Sequence, residues 1–177
     1  NTAIGNNSLT SNTTGVTNTA SGYASLQFNT TGNSNTASGA ITLKANTTGS
    51  NNTASGYASL QINTTGSKNT ASGVTSLQNN TTGVTNTASG YGSLQQNTTG
   101  NSNTALGDQS GDVITTGSNN VLIGKGTNPS ANNATNQIVI GQGATGTTDN
   151  TVLLGNGSIT NWLPTDTNEV DLGSSTK

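Results

Sequence analysis

The chain has 177 residues, of which 27% are hydrophobic, 3% aromatic and 6% charged, with a formal net charge of -2. Those fractions fall below the apolar and charged content of an ordinary globular domain, and the scarcity of Lys, Glu and Pro separates the chain from a solvated disordered segment. Neither Cys nor His occurs, which excludes disulfide stapling, thiolate and imidazole metal sites, and Cys or His nucleophile chemistry.

The chain opens directly into a repeat. Asn-Thr-Ala recurs at Asn1, Asn18, Asn35, Asn52, Asn69, Asn86 and Asn103, every interval being seventeen. Glycine holds the fifth place of each unit from Gly5 to Gly107, and leucine the ninth place of the first six, at Leu9, Leu26, Leu43, Leu60, Leu77 and Leu94. An Asn-Thr-Thr-Gly block begins at Asn12, Asn29, Asn46, Asn63, Asn80 and Asn97. Starting in phase with its repeat and without an initiator Met, the chain reads as part of a longer polypeptide.

A period of seventeen is too short for helix-pair repeats, and the Gly, Asn and Thr content opposes helix. Extended segments such as "NTASG" and "SLQ", punctuated by "TTG", predict an all-β fold: a parallel β-solenoid with one coil per unit, stacked at about 4.8 Å. Identical residues then form ladders along the rod. Asn18, Asn35, Asn52, Asn69, Asn86 and Asn103 are expected to hydrogen-bond to their copies above and below, with Thr on the β surface. One Leu and one Ala per coil bury little against backbone entropy of roughly 1–2 kcal/mol per residue. The leucine stripe is therefore expected to pack against the same stripe of neighbouring chains, in an obligate homo-oligomer for which threefold symmetry suits a slender fibre.

Tyr23, Tyr57 and Tyr91 share the sixth place of alternate units, and a solenoid puts them on one face. They are candidate surface contacts for sugar rings or apolar receptor surface, against the plainer role of packed aromatics. The Asn-Thr-Thr blocks are N-x-T sequons, although turn chemistry calls for the same letters. Thr13, Thr14 and their copies form paired ladders of the kind an ice-binding array would use, though β-propensity alone accounts for them.

After residue 107 the texture shifts. "GDQSGD" at 107–112 sets Asp108 and Asp112 in a glycine-bearing loop, a pair that invites a hard cation such as calcium, which wants several oxygen ligands, and that more simply marks a break between regular rod and head. Three apolar units follow: "NVLIG" at Asn120, "QIVIG" at Gln137 and "TVLLG" at Thr151, their spacing passing from seventeen to fourteen. Past residue 158 come Trp162, Pro164 and the acids Asp166, Glu169 and Asp171. The expected organisation is a repeat rod over 1–107, head-like coils with longer loops over 108–160 and a C-terminal junction over 161–177.

These units resemble the head and stalk repeats of trimeric autotransporter adhesins of the YadA-head type and related repeats of bacteriophage tail fibres. "NTAIGNNSLTSNTTG" carries the likeness in the rod, and "NVLIG", "QIVIG" and "TVLLG" carry it in the later coils. "LGSSTK" at 172–177 resembles the junction before the intramolecular chaperone domain of phage tail fibres and endosialidases. The resemblance implies a left-handed parallel β-roll, three chains wide, in an extracellular fibre on a virion tail or a bacterial surface.

Residues 1–107 carry only Lys44 and Lys68 as charged side chains, and the acids gather beyond. A nearly neutral rod lacks the cations that nucleic acid or membrane surfaces demand, so neither is expected as a partner. The rod has no carboxylate pair to flank a glycosidic bond, and no enzyme activity or cofactor is expected. The expected partners are further copies of the chain, as a homotrimer, and a cell-surface receptor, carbohydrate among the candidates. The alternative role is an ice-binding or purely structural array of Thr and Asn ladders.

Overall fold

The computed structural model describes residues 1–159. Ten short strands run along it: β1 (Thr2–Ile4), β2 (Thr19–Ser21), β3 (Thr36–Ser38), β4 (Thr53–Ser55), β5 (Thr70–Ser72), β6 (Thr87–Ser89), β7 (Thr104–Leu106), β8 (Val121–Ile123), β9 (Gln137–Ile140) and β10 (Thr151–Leu154). They form one sheet in chain order, each strand pairing in parallel with the next. Thr19 lies beside Thr36 and Val121 beside Ile138, an offset of seventeen, whereas Thr151 lies beside Gln137, an offset of fourteen. The chain is thus an all-β solenoid that completes one circuit per sequence unit. The sheet passes through Gly107–Asp112 by pairing β7 with β8. The junction expected over 161–177, including Trp162, Asp166, Glu169 and Asp171, lies outside the described residues.

Each Thr-Ala-Ser strand is short because the coil must turn again at once. In the coil from Asn35 to Asn51, Ile41, Leu43 and Asn51 all have left-handed backbones, at φ 53°, 49° and 60°. Gly39 supplies a fourth corner at φ 134°. There a Cβ would lie 2.6 Å from the carbonyl oxygen of Gly56 in the next coil, so only glycine allows successive backbones to stack at this corner.

Two expectations are corrected. "SLQ" is a corner and not a strand: Leu26, Leu43, Leu60, Leu77 and Leu94 sit at φ 48–50°. The leucine stripe is also not left for neighbouring chains. Those five side chains are fully buried inside their own solenoid, in one cluster with Ala20, Ala37, Ala54, Ala71 and Ala88 of the strands. The left-handed corner aims leucine into the coil. Its conformational cost of about 1–2 kcal/mol is offset by about 1.5–3 kcal/mol of burial. Leu9, in the end coil, is only partly buried.

The core changes hands in the seventh coil. Gly111 takes the place that leucine holds in earlier coils, and a Cβ there would meet Leu122 Cδ1 at 2.7 Å and Leu94 Cδ2 at 3.0 Å. Ile114, three residues on, fills the seventh coil, and beyond it the interior is filled from the strands by Leu122 and Val139, all three fully buried, with Leu153 packed against the cluster. A narrow coil has room for one large aliphatic side chain, and the sequence moves it from corner to strand.

The remaining interior is polar and satisfied by repetition. Asn35 Nδ2 donates to Gly49 O at 2.8 Å, and Asn35 Oδ1 accepts the backbone N–H of Asn52 at 3.0 Å. Asn18, Asn52, Asn69, Asn86 and Asn103 are equally buried and repeat this scheme. The expected ladder is present, with backbone groups as its main partners. A second buried ladder runs through the Asn-Thr-Thr-Gly blocks, where Asn63 Nδ2 donates to Asn46 Oδ1 at 2.7 Å and to Gly66 O at 2.9 Å.

Candidate functional site

With the interior filled by Ala, Leu and Asn, chemistry available to partners lies on the outward side chains. Three surfaces follow from the coil geometry.

The first is the outer face of the sheet. In each Thr-Ala-Ser strand the alanine points inward, so Thr and Ser point outward by strand alternation. Thr19, Thr36, Thr53, Thr70 and Thr87 are exposed, and Ser38, Ser55 and Ser72 beside them as well. Beyond β6 the serine column turns aliphatic, and beyond Thr104 of β7 the threonine column does too. One runs Leu106, Ile123, Ile140, Leu154 and the other Val121, Ile138, Val152, residue against residue across β7 to β10. Leu106 is 51% exposed and Val152 63%, so a contiguous aliphatic patch stands open where coils two to six offer hydroxyls. Sequence reasoning saw these segments as units but not their outward columns, although the alternation of Val-Leu-Ile around one inward leucine carried that signal.

The second surface is the tyrosine column. Tyr23, Tyr57 and Tyr91 lie one residue past the glycine corner and are exposed by 57%, 55% and 56%. The backbone around them is stacked in register. Ile41 N–H donates to Tyr23 O at 2.8 Å, Ala58 to Ala40 O at 3.1 Å, Thr75 to Tyr57 O at 2.9 Å, Gly92 to Val74 O at 3.0 Å and Gln109 to Tyr91 O at 2.7 Å. The structure therefore brings the three rings into one line on alternate coils, with Ala40 and Val74 between them.

The third is the Asn-Thr-Thr corner. Its asparagines Asn29, Asn46, Asn63, Asn80 and Asn97 are fully buried, and their Nδ2 atoms are committed to the inner ladder. These N-x-T triplets serve packing and turns, and the amide nitrogens are closed to glycan attachment. The first threonine of each block is occupied too: Thr47 Oγ1 donates to Thr64 O at 3.0 Å. The second, as at Thr48 and Thr65, is exposed. Of the paired Thr13 and Thr14 ladders, only the Thr14 column is thus free along the rod.

Asp108 and Asp112 are half-buried, and Asp112 Oδ1 is enclosed without a hydrogen-bond partner. Among the described residues no group of three or more acidic side chains comes together. A depression of about 460 Å³ opens at the end of the stack, lined by Gly143, Thr145, Leu153, Gly155 and Ile159 among others; none of its lining residues is ionisable.

The fold and these surfaces define a β-solenoid repeat protein with a polar rod and an aliphatic end. No protein-family profile, curated protein or solved structure matches the chain.

Proposed function

We propose that the chain is a structural and adhesive segment of an extracellular trimeric fibre, a phage tail fibre or a bacterial surface adhesin, that mediates attachment to a host or surface. The observation that carries this is the aliphatic patch of β7 to β10. A solenoid whose corner leucines, Leu26 to Leu94, are already buried still displays Leu106, Ile138, Ile140, Val152 and Leu154 to solvent. Open aliphatic patches on this scale mark association surfaces. Three copies of a left-handed β-roll, each turning its outer sheet face to a common axis, bury this patch from all sides with one repeated contact. The polar rod then sets reach, at about 4.8 Å per coil, and three identical faces multiply weak receptor contacts into avidity.

Sedimentation equilibrium on the chain tests the assembly: a mass of three chains is expected, and Ile140→Asp should reduce it to one. A single-chain mass for the unaltered protein overturns the proposal. Retention of the labelled protein on bacterial cells under washing tests attachment, and Ile140→Asp should release it.

The second reading, a structural or ice-binding array, draws support from one observation: the exposed Thr19, Thr36, Thr53, Thr70 and Thr87 column. The Asn ladders have no part in it, because they are inside. Thermal hysteresis that grows with the number of coils favours this reading, and its absence removes it.

A further inference from the structure

The tyrosine column has a period that the fold itself does not require. The inner Asn and Ala columns of the rod repeat once per coil, but tyrosine appears on alternate coils, at Tyr23, Tyr57 and Tyr91, with Ala40 and Val74 between. The next residue alternates in the opposite sense: Ala24 and Ala58 are buried, while Ile41 and Thr75 are larger and half-buried. Alternate coils are thus shaped differently along this face, giving a bulky ring and then a shallow step. With coils at about 4.8 Å, the rings recur at about 9.6 Å.

We infer that this column is a binding surface for a linear, neutral, β-1,4-linked pyranose polymer lying parallel to the rod. In an extended β-1,4-linked chain, successive sugars are turned over, so the same face recurs on every second sugar. That repeat is close to two coils. One sugar per coil then places an apolar sugar face on each tyrosine ring, and the turned-over sugar falls on the shorter side chain between, Ala40 or Val74. Tyrosine suits this role because its ring offers a flat apolar face while the hydroxyl stays hydrated. The exposed hydroxyls of Ser38, Ser55 and Ser72 lie two residues before the column, within the same coils, as partners for sugar hydroxyls. Neutrality follows from the charges: from Asn18 to Ser102 the ionisable side chains of Lys, Asp and Glu are only Lys44 and Lys68, too few to hold a polyanion by counterion release. The inference deepens the attachment proposal by naming the receptor's chemistry, and it rests on that reading for its biological sense.

The test is calorimetric titration of the full chain with cello-oligosaccharides and chito-oligosaccharides of two, four and six sugars. Affinity should climb steeply from the disaccharide to the hexasaccharide as two and then three rings engage. Tyr57→Ala should weaken the hexasaccharide about tenfold, Tyr57→Phe should retain most of it, and neither should alter the circular dichroism of the fold. A hexasaccharide that binds no tighter than the disaccharide overturns the inference, as does equal affinity for curved α-1,4-linked maltohexaose. If the triple variant Tyr23→Ala, Tyr57→Ala, Tyr91→Ala changes the sedimentation mass, the column is a contact between copies and the inference falls. A trimer that attaches to cells but ignores every oligosaccharide leaves the attachment reading standing and removes only this one. Saccharide binding by a single-chain species does the reverse.

Discussion

Asn97 and Ile114 hold the same place in successive coils, and at that step the inner carboxamide ladder ends. Asn97 Nδ2 donates to Asn80 Oδ1 at 2.8 Å, but Asn97 Oδ1 is buried with no donor facing it, since Ile114 brings none. In mid-ladder, Asn63 donates to Asn46 and accepts from Asn80, both at 2.7 Å. Removing Asn63 strands Asn46 Oδ1 and deprives Asn80 of an acceptor, whereas removing Asn97 takes away only a donor and an already unpaired oxygen. Asn63→Ala is therefore expected to cost about 1 kcal/mol more than Asn97→Ala. Urea denaturation at one fixed protein concentration checks the difference.

Leucine at a left-handed corner gives a second prediction. Leu60 is fully buried within its own chain and Leu9 only partly. Leu60→Ala should cost about 2–5 kcal/mol and Leu9→Ala distinctly less, with the sedimentation mass unchanged in both. A loss of assembly without loss of coil stability would return the leucine stripe to an interface between chains.

Much of the architecture was legible in the sequence because the repeat is nearly exact. Asn at the first place, Gly at the fifth and the block at Asn12 and its copies fix the period, and the period fixes the register of Thr19 beside Thr36. The direction of side chains was harder to read. Leucine favours strands and helices by habit, and nothing in "SLQ" announces a backbone at φ near 50°. Its inward aim is a consequence of closing the coil, which is a tertiary demand. Likewise the Asn-Thr-Thr blocks carry the letters of sequons and of turns, and only burial decides between them. The tyrosine line was legible from its recurrence in every second unit, but its equal exposure in all three coils was not.

Thr75 tests the corner energetics. It is β-branched and half-buried at φ 55°, while the equivalent residues of the flanking coils are Ala58 and Gly92. Asn tolerates this conformation better than a β-branched residue does, and Thr75→Asn should raise stability by about 0.5–1 kcal/mol. A higher thermal midpoint with unchanged circular dichroism is the expected result.

Gly39 should be intolerant in the opposite way. A methyl group there meets the Gly56 carbonyl oxygen at 2.6 Å and must adopt φ 134°. Neither problem can be relieved without parting two coils, because the obstructing atom is backbone. Gly39→Ala is expected to cost more than about 3 kcal/mol, above the ordinary range for a substitution at a surface turn. Hydrogen exchange should show the loss centred on the amides of Gly39 and Gly56, which donate to Ser21 O at 2.8 Å and Ser38 O at 2.9 Å.

Coil stacking also makes length a variable. Insertion of a second copy of residues 35–51 after Asn51 adds one whole circuit, so every strand keeps its inward alanine and the new coil gains neighbours on both sides. Stability per repeat array grows with such additions, and the urea midpoint should rise or hold. Deletion of the single residue Ser50 leaves the coil one residue short. That offset sets Thr or Ser where alanine belongs, or forces a distorted corner next to Asn51. At least the burial of one leucine and one alanine is at stake, about 3 kcal/mol. The insertion carries a second consequence, since it separates Tyr23 from Tyr57 by three coils while leaving Tyr57 and Tyr91 two apart. Tetrasaccharide binding at the latter pair should survive, and the added gain from the hexasaccharide should be lost.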